Sequence, residues 1–579
     1  MEKIICNPLN LEYRYQYKNS PLGTGVFREA ADPTMVVFQD TYFLFPSMSG
    51  GFWYSDDMYD WSYKATPELP IYDYAPDVRV VNGGISFCAS KRGEKCSIYF
   101  SRGPLHESFQ LVSTPLTFWD PDIFQDDDGR VYLYWGCTTR EPIWGIELDR
   151  STMMPIGKKR AIVGENEKEH GWERVGEDNV LSPPKTFGDR IIRFALGTKP
   201  CIEGAFMTKY KGRYYMQYAT PGTEHNVYAN GVYVGDSPLG PFHYQAHNPF
   251  SAKPGGFITA AGHGSTFQDK DGKWWHTATM RISVNDNYER RIGLFPCDFD
   301  KDGVLYCNQN FADYPMDLCK QGEGRMTQNP EWMLLSYKAK VTASSQQEGH
   351  EAGYAADENI RTYWAAQTRS RGEWLMMDMG EDKSVKAIQV NFADHDLALL
   401  PISKKEMVKE NIGYRKIVTE RQKTGFVLEI SKDGEVWTVI RDNRMDNTDY
   451  AHDLIVLPNL ETCRYIRLRE MEAAMDGVPA ISGLRVFGKG NGERPQKVKN
   501  LRATPKGDID IGLTWDKAEG AIGYNVRYGI AKDKLYLSYQ LYERTSLNLS
   551  MINKGQPYYA AIDSYNENGV TPGDIIRIR

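Results

Sequence analysis

The stretch DPDIFQDDDGRVYLYWG, residues 120–136, decides the fold of the first half of this chain. An acidic residue opens it, an alternating strand follows, an Asp- and Gly-rich turn reverses the chain, and a second, aromatic-rich strand closes it. Four other segments have the same form: AADPTMVVFQDTYFLF (30–45), APDVRVVNGGISFCAS (75–90), IEGAFMTKYKGRYYMQYA (202–219) and GHGSTFQDKDGKWWHTA (262–278). Five copies of one hairpin unit indicate a repeat architecture.

The repeats predict a five-bladed β-propeller over residues 1–325. This part of the sequence has no convincing amphipathic helix, so we expect an all-β fold. The innermost strand of each propeller blade lines the central axis, and equivalent residues of the five repeats should therefore converge at one end of the channel. The polar residues that lead the repeats are Asp32, Asp77, Asp120, Glu203 and His263.

The remainder of the chain predicts two C-terminal β-sandwiches. Short strands recur over residues 331–489, and a segment rich in Lys, Glu and Leu between Asp394 and Thr424 is predicted to be an inserted loop with some helix. The Gly- and Pro-containing stretch GKGNGERPQ (488–496) reads as a linker. Residues 495–579 then predict a second, smaller sandwich.

Composition and charge exclude several classes of function. The net charge is −7 without a long basic run, so nucleic acid is an unexpected partner. No stretch approaches the roughly 18 apolar residues of a membrane span. The nine cysteines have no CxxC or Cys/His spacing of the zinc-binding kind, and we expect free thiols in buried strands. We expect a monomer that is exported with its signal peptide absent from this chain, with a cytoplasmic location as the alternative.

Three of the converging residues suit glycosidic bond hydrolysis, namely Asp32, Asp120 and Glu203. That reaction needs one protonated carboxyl to protonate the leaving oxygen and one carboxylate to activate water or attack carbon. A third carboxylate nearby can raise the pKa of the acid. An Asp at the start of a strand is often only a turn residue, and strand alternation places Asp122 on the same side as Asp120, so spacing does not choose between those two.

The quoted repeats resemble glycoside hydrolase family 43, a family of inverting five-bladed propellers, over roughly residues 20–315. The resemblance implies Asp32 as general base, Asp120 as modulator of the acid's pKa and Glu203 as general acid, with no cofactor required. An inverting pair of carboxyls is expected about 6.5–9.5 Å apart, which leaves room for a water molecule.

Further site residues follow from the same resemblance. His263 matches a histidine on the propeller axis, and the string ERRIGLFP offers Arg290 or Arg291 for a site arginine, of which spacing to Pro296 favours Arg290. The repeats add Asp77, and Trp119 is the aromatic neighbour of Asp120; both are expected at the substrate site or on the propeller axis. Phe118, Trp135 and Trp144 are further candidates for its aromatic lining, and the stretch 170–179 for its shape.

The expected activity is exo-acting release of terminal arabinofuranose, xylose or galactose from plant polysaccharides. The alternative is a carbohydrate-binding, lectin-like propeller that has lost turnover. Retention of all three acids favours the enzyme.

The second domain resembles the discoidin, or factor V/VIII type C, sandwiches through strings such as VTASSQQ, AADENIRTYWAA and ISGLRVFG. The resemblance makes sugar binding a hypothesis for this domain, with a spacer that packs on the propeller as the alternative. It also suggests a structural calcium loop, whose ligands would be Asp357, Asn359 and Thr362. A glutamate usual near the end of this fold is Gly483 here. The last domain resembles a fibronectin type III module, which we expect to serve as a spacer or an attachment unit.

Overall fold

The computed structural model describes residues 2–579 except 22, 71–73, 92, 185–197, 321–322, 327–328, 400 and 411–412. Strands dominate these residues, and the helical elements among them are short 3-10 turns. Their bounds are Gly171–Glu173, Glu323–Met326, Ala352–Ala356, Lys404–Glu406 and Ala474–Asp476. Within the described residues, no helix is long and apolar enough to cross a membrane.

Five four-stranded antiparallel sheets confirm the predicted propeller. From the axis outward the strands are, in blade 1, Ala31–Phe38, Thr41–Ser47, Gly51–Ser55 and Ser62–Ala65; in blade 2, Tyr74–Val81, Gly84–Ser90, Ile98–Ser101 and Gln110–Ser113; in blade 3, Asp122–Gln125, Val131–Trp135, Ile143–Leu148 and Pro155–Val163; in blade 4, Glu203–Tyr210, Arg213–Thr220, Ala229–Gly235 and Phe242–Tyr244; and in blade 5, Thr259–Gln268, Trp274–Arg281, Arg290–Phe299 and Leu305–Cys307. Each innermost strand contacts the next, and the fifth contacts the first, so the ring is closed.

Each repeat forms a hairpin because its turn sequence suits a tight reversal. In blade 3 the Gly129 N–H donates to the Asp126 carbonyl at 2.9 Å, and Gly129 has φ +84°, a conformation that costs glycine little. The acidic run 126–128 is therefore a hairpin turn, as its position between two strands predicts.

The N-terminal hairpin joins the propeller to the second domain through a shared sheet. Its strands, Arg14–Ser20 and Gly23–Glu29, pair with each other. Arg14–Ser20 also pairs with Gly413–Val418, which in turn pairs with Val408–Glu410. The segment between Asp394 and Thr424, predicted as a loop with some helix, thus supplies two strands and one 3-10 turn.

Apart from this shared sheet, the described strands of each predicted domain pair among themselves. Near the end of the propeller domain, Ile4–Ile5 pairs with Met316–Asp317. The second domain has one eight-stranded sheet, made of Met333–Leu334, Lys340–Ala343, Trp364–Ala365, Trp374–Phe392, Gly425–Ser431, Thr438–Asp442, His452–Glu472 and Ala480–Lys489. The third has two facing sheets, Arg502–Pro505, Ile511–Thr514 and Ser546–Leu549 on one side, and Gly523–Gly529, Leu537–Tyr542, Tyr559–Asn566, Gly569–Thr571 and Ile576–Arg577 on the other.

Both C-terminal domains are docked on the propeller by buried contacts. The fully buried Arg485 of the second domain donates to the propeller carbonyl of Asp313 at 2.6 Å. The stretch 170–179 contacts the third domain. The Gly171 N–H donates to the Ile552 carbonyl, and Arg174 pairs with Asp510 at 2.8 Å. Trp172 lies in a hydrophobic core shared by the propeller and the third domain. This stretch was expected to shape the pocket, whereas most of it docks the third domain.

Candidate active site

A left-handed backbone residue recurs near the start of every blade's innermost strand. These residues are Asp32 (φ 49°), Ala75 (50°), Asp120 (49°), Gly204 (65°) and His263 (36°). In blades 1, 2, 4 and 5 the strand pairing shifts register around this position, as expected of a β-bulge. The five residues are therefore structurally equivalent.

This register corrects two sequence assignments. The blade-2 equivalent of Asp32 is Ala75, and Asp77 lies two residues further along the strand. The blade-4 equivalent is Gly204, and Glu203 precedes it by one residue. A one-residue bulge cannot be recognised from the spacing of the repeats. In these two blades the polar residue, rather than the left-handed residue, was therefore aligned with Asp32.

Hydroxyl groups hold three of the left-handed residues in place. In each case the backbone N–H donates, at 2.7–2.8 Å, to a Ser or Thr on the second strand of the preceding blade: Asp32 to Thr279, Ala75 to Ser47 and Asp120 to Ser90. The closed ring of blades thus sets the positions of the two acids.

Asp32, His263 and Asp120 meet on the axis. His263 Nδ1 lies 3.3 Å from Asp32 Oδ1 and 3.7 Å from Asp120 Oδ2. Both carboxyls are buried, and the Ser47 hydroxyl donates to Asp32 at 2.7 Å. A Cβ at Gly204 would lie 2.8 Å from the His263 ring, so blade 4 also closes on this point.

Asp32 is held ionised by its neighbours. Burial acts to raise its pKa, but the Arg290 guanidinium and His263 outweigh it and hold the pKa below its usual range. Arg290 Nη1 lies 3.4 Å from Asp32, whereas Arg291 turns away and contacts His452 of the second domain at 3.0 Å. Of the two arginines that the sequence offered, the structure brings Arg290 to the site.

Arg290 is itself oriented by a buried glutamate that sequence reasoning did not identify. Glu29 accepts from Arg290 Nη2 at 2.7 Å and, on its other oxygen, from Arg415 Nη1 at 2.7 Å. Glu29 and Arg415 are both fully buried. The second domain therefore reaches Asp32 through a line of alternating charges, Arg415, Glu29 and Arg290.

Asp120 has the opposite electrostatic setting. Burial, then repulsion from Glu203 and Asp32, raises its pKa well above the ordinary value, although the Gly204 N–H and the Ser90 hydroxyl oppose the shift. The three carboxyls thus differ in their environments, which is how one site divides the roles of acid and base.

Asp122 and Asp77 lie deeper in the channel and form a separate cluster. Arg79 Nε donates to Asp122 at 3.0 Å, and Asp122 accepts from the Met207 N–H at 2.7 Å. Asp77 accepts from the Ile123 N–H at 2.7 Å and lies 3.5 Å from Arg79. Asp122 and Asp77 are thus held by backbone N–H groups and by Arg79, whereas Asp120 is the acid that lies beside His263. Asp77 lies on the innermost strand of blade 2, and its role at the substrate site or on the axis stays a prediction.

Glu203 is held by a tyrosine and two cysteines. The Tyr228 hydroxyl donates to Oε1, and the Cys137 thiol lies 3.2 Å from Oε2. The Cys201 sulfur lies 3.8 Å from the same oxygen. Tyr228 and the two cysteines were not identified from the sequence, because each lies far along the chain or outside a recognised motif.

The aromatic lining differs from expectation. Phe118 and Trp135 are 1% and 8% exposed and belong to the hydrophobic core between blades 2 and 3, so they do not line a pocket. Trp119, adjacent to Asp120, is half-buried. Tyr288 is 43% exposed, and its ring lies under the Arg290 guanidinium at 5.2 Å, which makes it an aromatic candidate for the mouth that the sequence did not suggest.

The predicted calcium loop is present as a turn. Thr362 Oγ1 donates to Asp357 at 2.7 Å, the Asn359 N–H donates to the other Asp357 oxygen at 3.0 Å, and burial raises the pKa of Asp357 to about 6.

This loop offers calcium a poor set of ligands. The Ile360 N–H donates to Phe257 of the propeller, and a Cβ at Gly483 would lie 2.8 Å from the Phe257 ring. The propeller thus fills the space where a glutamate is usual. Asp357 is the one carboxylate among the three predicted ligands, and the neighbouring Glu358 is engaged by Arg485. The loop thus has few of the oxygens that calcium takes, and calcium binding remains a prediction.

The sequence of the propeller matches one family model. The glycosyl hydrolases family 43 model matches residues 26–305. Residues 26–305 are a family 43 glycosyl hydrolase domain. An F5/8 type C domain model matches residues 340–398, in the second domain. The fibronectin-like assignment of residues 495–579 remains a prediction.

Relatives of this family 43 domain include a xylosidase/arabinosidase of Bacteroides ovatus, 33% identical over 142 residues (22% of this chain, 39% of the relative). A β-xylosidase of Xylanibacter ruminicola is 28% identical over 206 residues (32% and 56%), and a β-D-galactofuranosidase of Aspergillus niger is 30% identical over 209 residues (36% and 48%). The chain spans about half the length of the curated relatives it matches.

Among solved structures, a glycoside hydrolase aligns with 79% of this chain and 97% of its own, at 19% identity and a TM-score of 0.44. A Bacteroides ovatus protein named for a xyloglucan utilisation locus aligns with 84% and 98%, at 14% identity and a TM-score of 0.40.

Proposed function

We propose that this protein is an inverting, exo-acting glycoside hydrolase that releases terminal arabinofuranose, xylose or galactose residues from plant polysaccharides. The observation that carries the proposal is the convergence of Asp32, Asp120 and Glu203 at one end of the propeller axis, where the pKa of Asp32 is lowered and that of Asp120 is raised. The names of the relatives, which act on xylosides, arabinosides and galactofuranosides, support the substrate class.

Asp32 has the properties of the general base. A base must be ionised at the working pH and must stay oriented, and Asp32 has a lowered pKa with fixed contacts to Ser47, Arg290 and His263. Its carboxylate would take a proton from the water that attacks the anomeric carbon. Attack on the face opposite the leaving group inverts that carbon.

Glu203 is proposed as the general acid. It lies half-buried at the blade-4 position next to Gly204, and Tyr228 fixes one of its oxygens. Repulsion between Glu203 and the buried Asp120 raises the pKa of Asp120, so a second negative charge in this pair of carboxyls is disfavoured.

A panel of aryl α-L-arabinofuranosides, β-D-xylosides and galactosides tests the proposal. We expect turnover by the wild type, and loss of at least about 1000-fold in kcat/KM for Asp32→Asn and Glu203→Gln on unactivated oligosaccharides. Asp127→Asn, in the exposed blade-3 turn, is the matched control and should keep full activity.

Two further measurements address stereochemistry and mode of attack. Proton NMR of the first-formed product should show the anomer opposite to the substrate's. Digestion of an oligosaccharide should release monosaccharide alone at early times. Binding of sugars by the wild type with no turnover on any substrate would favour the lectin-like alternative and overturn the proposal.

A further inference from the structure

Two cysteines far apart in the sequence meet beside Glu203, between blades 3 and 4. Thr138 and Ile202 form an isolated antiparallel bridge, in which each N–H donates to the other's carbonyl at 3.0 Å. In that register Cys137 lies opposite Glu203. Cys201, two residues before Glu203, projects from the same face as Glu203, because side chains alternate along a strand.

The three side chains form a compact triangle of ligand atoms. The two sulfurs are 3.8 Å apart, and Glu203 Oε2 lies 3.2 Å from Cys137 Sγ and 3.8 Å from Cys201 Sγ. In tetrahedral zinc, with Zn–S about 2.3 Å and Zn–O about 2.1 Å, two sulfur ligands are about 3.8 Å apart and sulfur and oxygen about 3.6 Å apart. Each edge of the triangle agrees with these values within about 0.4 Å.

We propose that Cys137, Cys201 and Glu203 form a binding site for Zn²⁺, with the fourth tetrahedral position left for water, and that the bound ion blocks the carboxyl of Glu203. The three-ligand arrangement with an open position is typical of accessible zinc sites. Among the residues that the structure describes, this is the one group of three His, Cys, Asp or Glu residues whose ligand atoms come this close. The blocking effect rests on the proposed function, whereas the metal site does not.

The surroundings leave the site open to an ion. Cys137, Cys201 and Glu203 are all partly exposed, so Zn²⁺ can enter without unfolding. Tyr228 engages the other oxygen of Glu203, which leaves Oε2 for the metal and fixes its direction. Such support by an outer hydrogen bond is common in zinc sites.

Binding should release protons. Zinc binds cysteine as the thiolate, so one Zn²⁺ replaces two thiol protons with two Zn–S bonds. The apparent affinity should fall as the pH is lowered.

Titration of the full-length protein with Co²⁺ tests the site. A metal-free phosphine reductant is present to keep the cysteines reduced. We expect thiolate-to-cobalt charge-transfer absorption that saturates at one equivalent and disappears when Zn²⁺ displaces the cobalt. Cys137→Ser and Cys201→Ser should each weaken Co²⁺ binding by at least about tenfold and reduce the charge-transfer band.

A matched control uses the cysteines of blade 5. Cys297 and Cys307 lie directly opposite each other on neighbouring strands and are fully buried. Cys297→Ser should leave the cobalt spectrum unchanged. The proposed metal site would be overturned if the wild type showed no charge-transfer band, a measurement that needs no variant. It would also be overturned if the band survived in both Cys137→Ser and Cys201→Ser.

Inhibition is measured separately on an aryl glycoside. Zn²⁺ should reduce turnover by the wild type, a chelator should restore it, and the Cys137→Ser, Cys201→Ser double variant should resist Zn²⁺. Equal inhibition of the wild type and the double variant would overturn the blocking effect. If no substrate is turned over, the proposed function fails, while the cobalt spectrum still decides the metal site.

Discussion

Arg415→Met should destabilise the protein and alter the pH dependence of its activity, although Arg415 belongs to the second domain. The substitution removes one guanidinium from the fully buried Glu29, which stays paired with Arg290. Removing one partner of a buried ion pair costs about 3–5 kcal/mol. Because Glu29 keeps Arg290, we expect the lower end, about 3 kcal/mol.

The effect on activity follows from the distances around Arg290. Arg290 lies 2.7 Å from Glu29 and 3.4 Å from Asp32. Once Glu29 has lost Arg415, it should attract Arg290 more strongly and draw it away from Asp32. With an effective dielectric constant of about 20, withdrawal by about 1 Å weakens the attraction to Asp32 by about 1 kcal/mol. The pKa of Asp32 then rises, the base is protonated at higher pH, and the acidic limb of kcat/KM moves towards neutrality.

Urea unfolding and a pH profile of kcat/KM on an aryl glycoside measure the two effects. The double variant Arg415→Met, Glu29→Gln removes both charges and should recover part of the lost stability, which a double-mutant cycle quantifies. Arg371→Met, which removes an exposed pair with Glu472, should change stability by less than about 1 kcal/mol. An Arg415→Met protein with the wild-type unfolding midpoint and an unmoved acidic limb would refute the reasoning.

Three more predictions concern the site itself. Tyr228→Phe removes the hydroxyl that donates to Glu203 and should lower kcat/KM about 10–100-fold without changing the fold, which circular dichroism and kinetics would check. Gly204→Ala places a Cβ 2.8 Å from His263 at φ +65° and should cost about 1–3 kcal/mol in chemical denaturation; an unchanged midpoint would contradict the strain. Asp120→Asn should abolish most activity yet stabilise the fold at neutral pH. The pKa of Asp120 is raised in the folded state, so the wild type should lose stability as the pH rises from the unfolded-state pKa through the folded-state pKa. Below that pH window the variant and the wild type should have the same free energy of unfolding.

Much of the fold was predictable because it repeats. Each blade carries the same strand, turn and strand, and five copies of a local pattern specify a propeller even where single strands are ambiguous. The acids at Asp32 and Asp120 follow directly, since both occupy the left-handed position of their blades. Asp77 was misplaced because a bulge changes the register by an amount that the sequence does not display.

The sequence alone did not predict the contacts between segments that are distant along the chain. Glu29 reads as an ordinary strand residue until Arg415 is found against it, and the two are joined only by the folded second domain. Cys137 and Cys201 lack metal-type spacing because a β-bridge, rather than a short loop, brings them together. Rules based on local spacing identify ligands that are close in the chain, and these are not.

The sheet shared by the N-terminal hairpin and residues 408–418 limits how far this protein can be treated as separable modules. During synthesis the ribosome makes the propeller first, yet the outer edge of Arg14–Ser20 stays unpaired until residues 413–418 emerge. A propeller truncated before the second domain would expose that edge and a buried, half-neutralised Glu29, and we expect it to aggregate. Domain exchange with other enzymes would therefore have to transfer the first two domains as one unit.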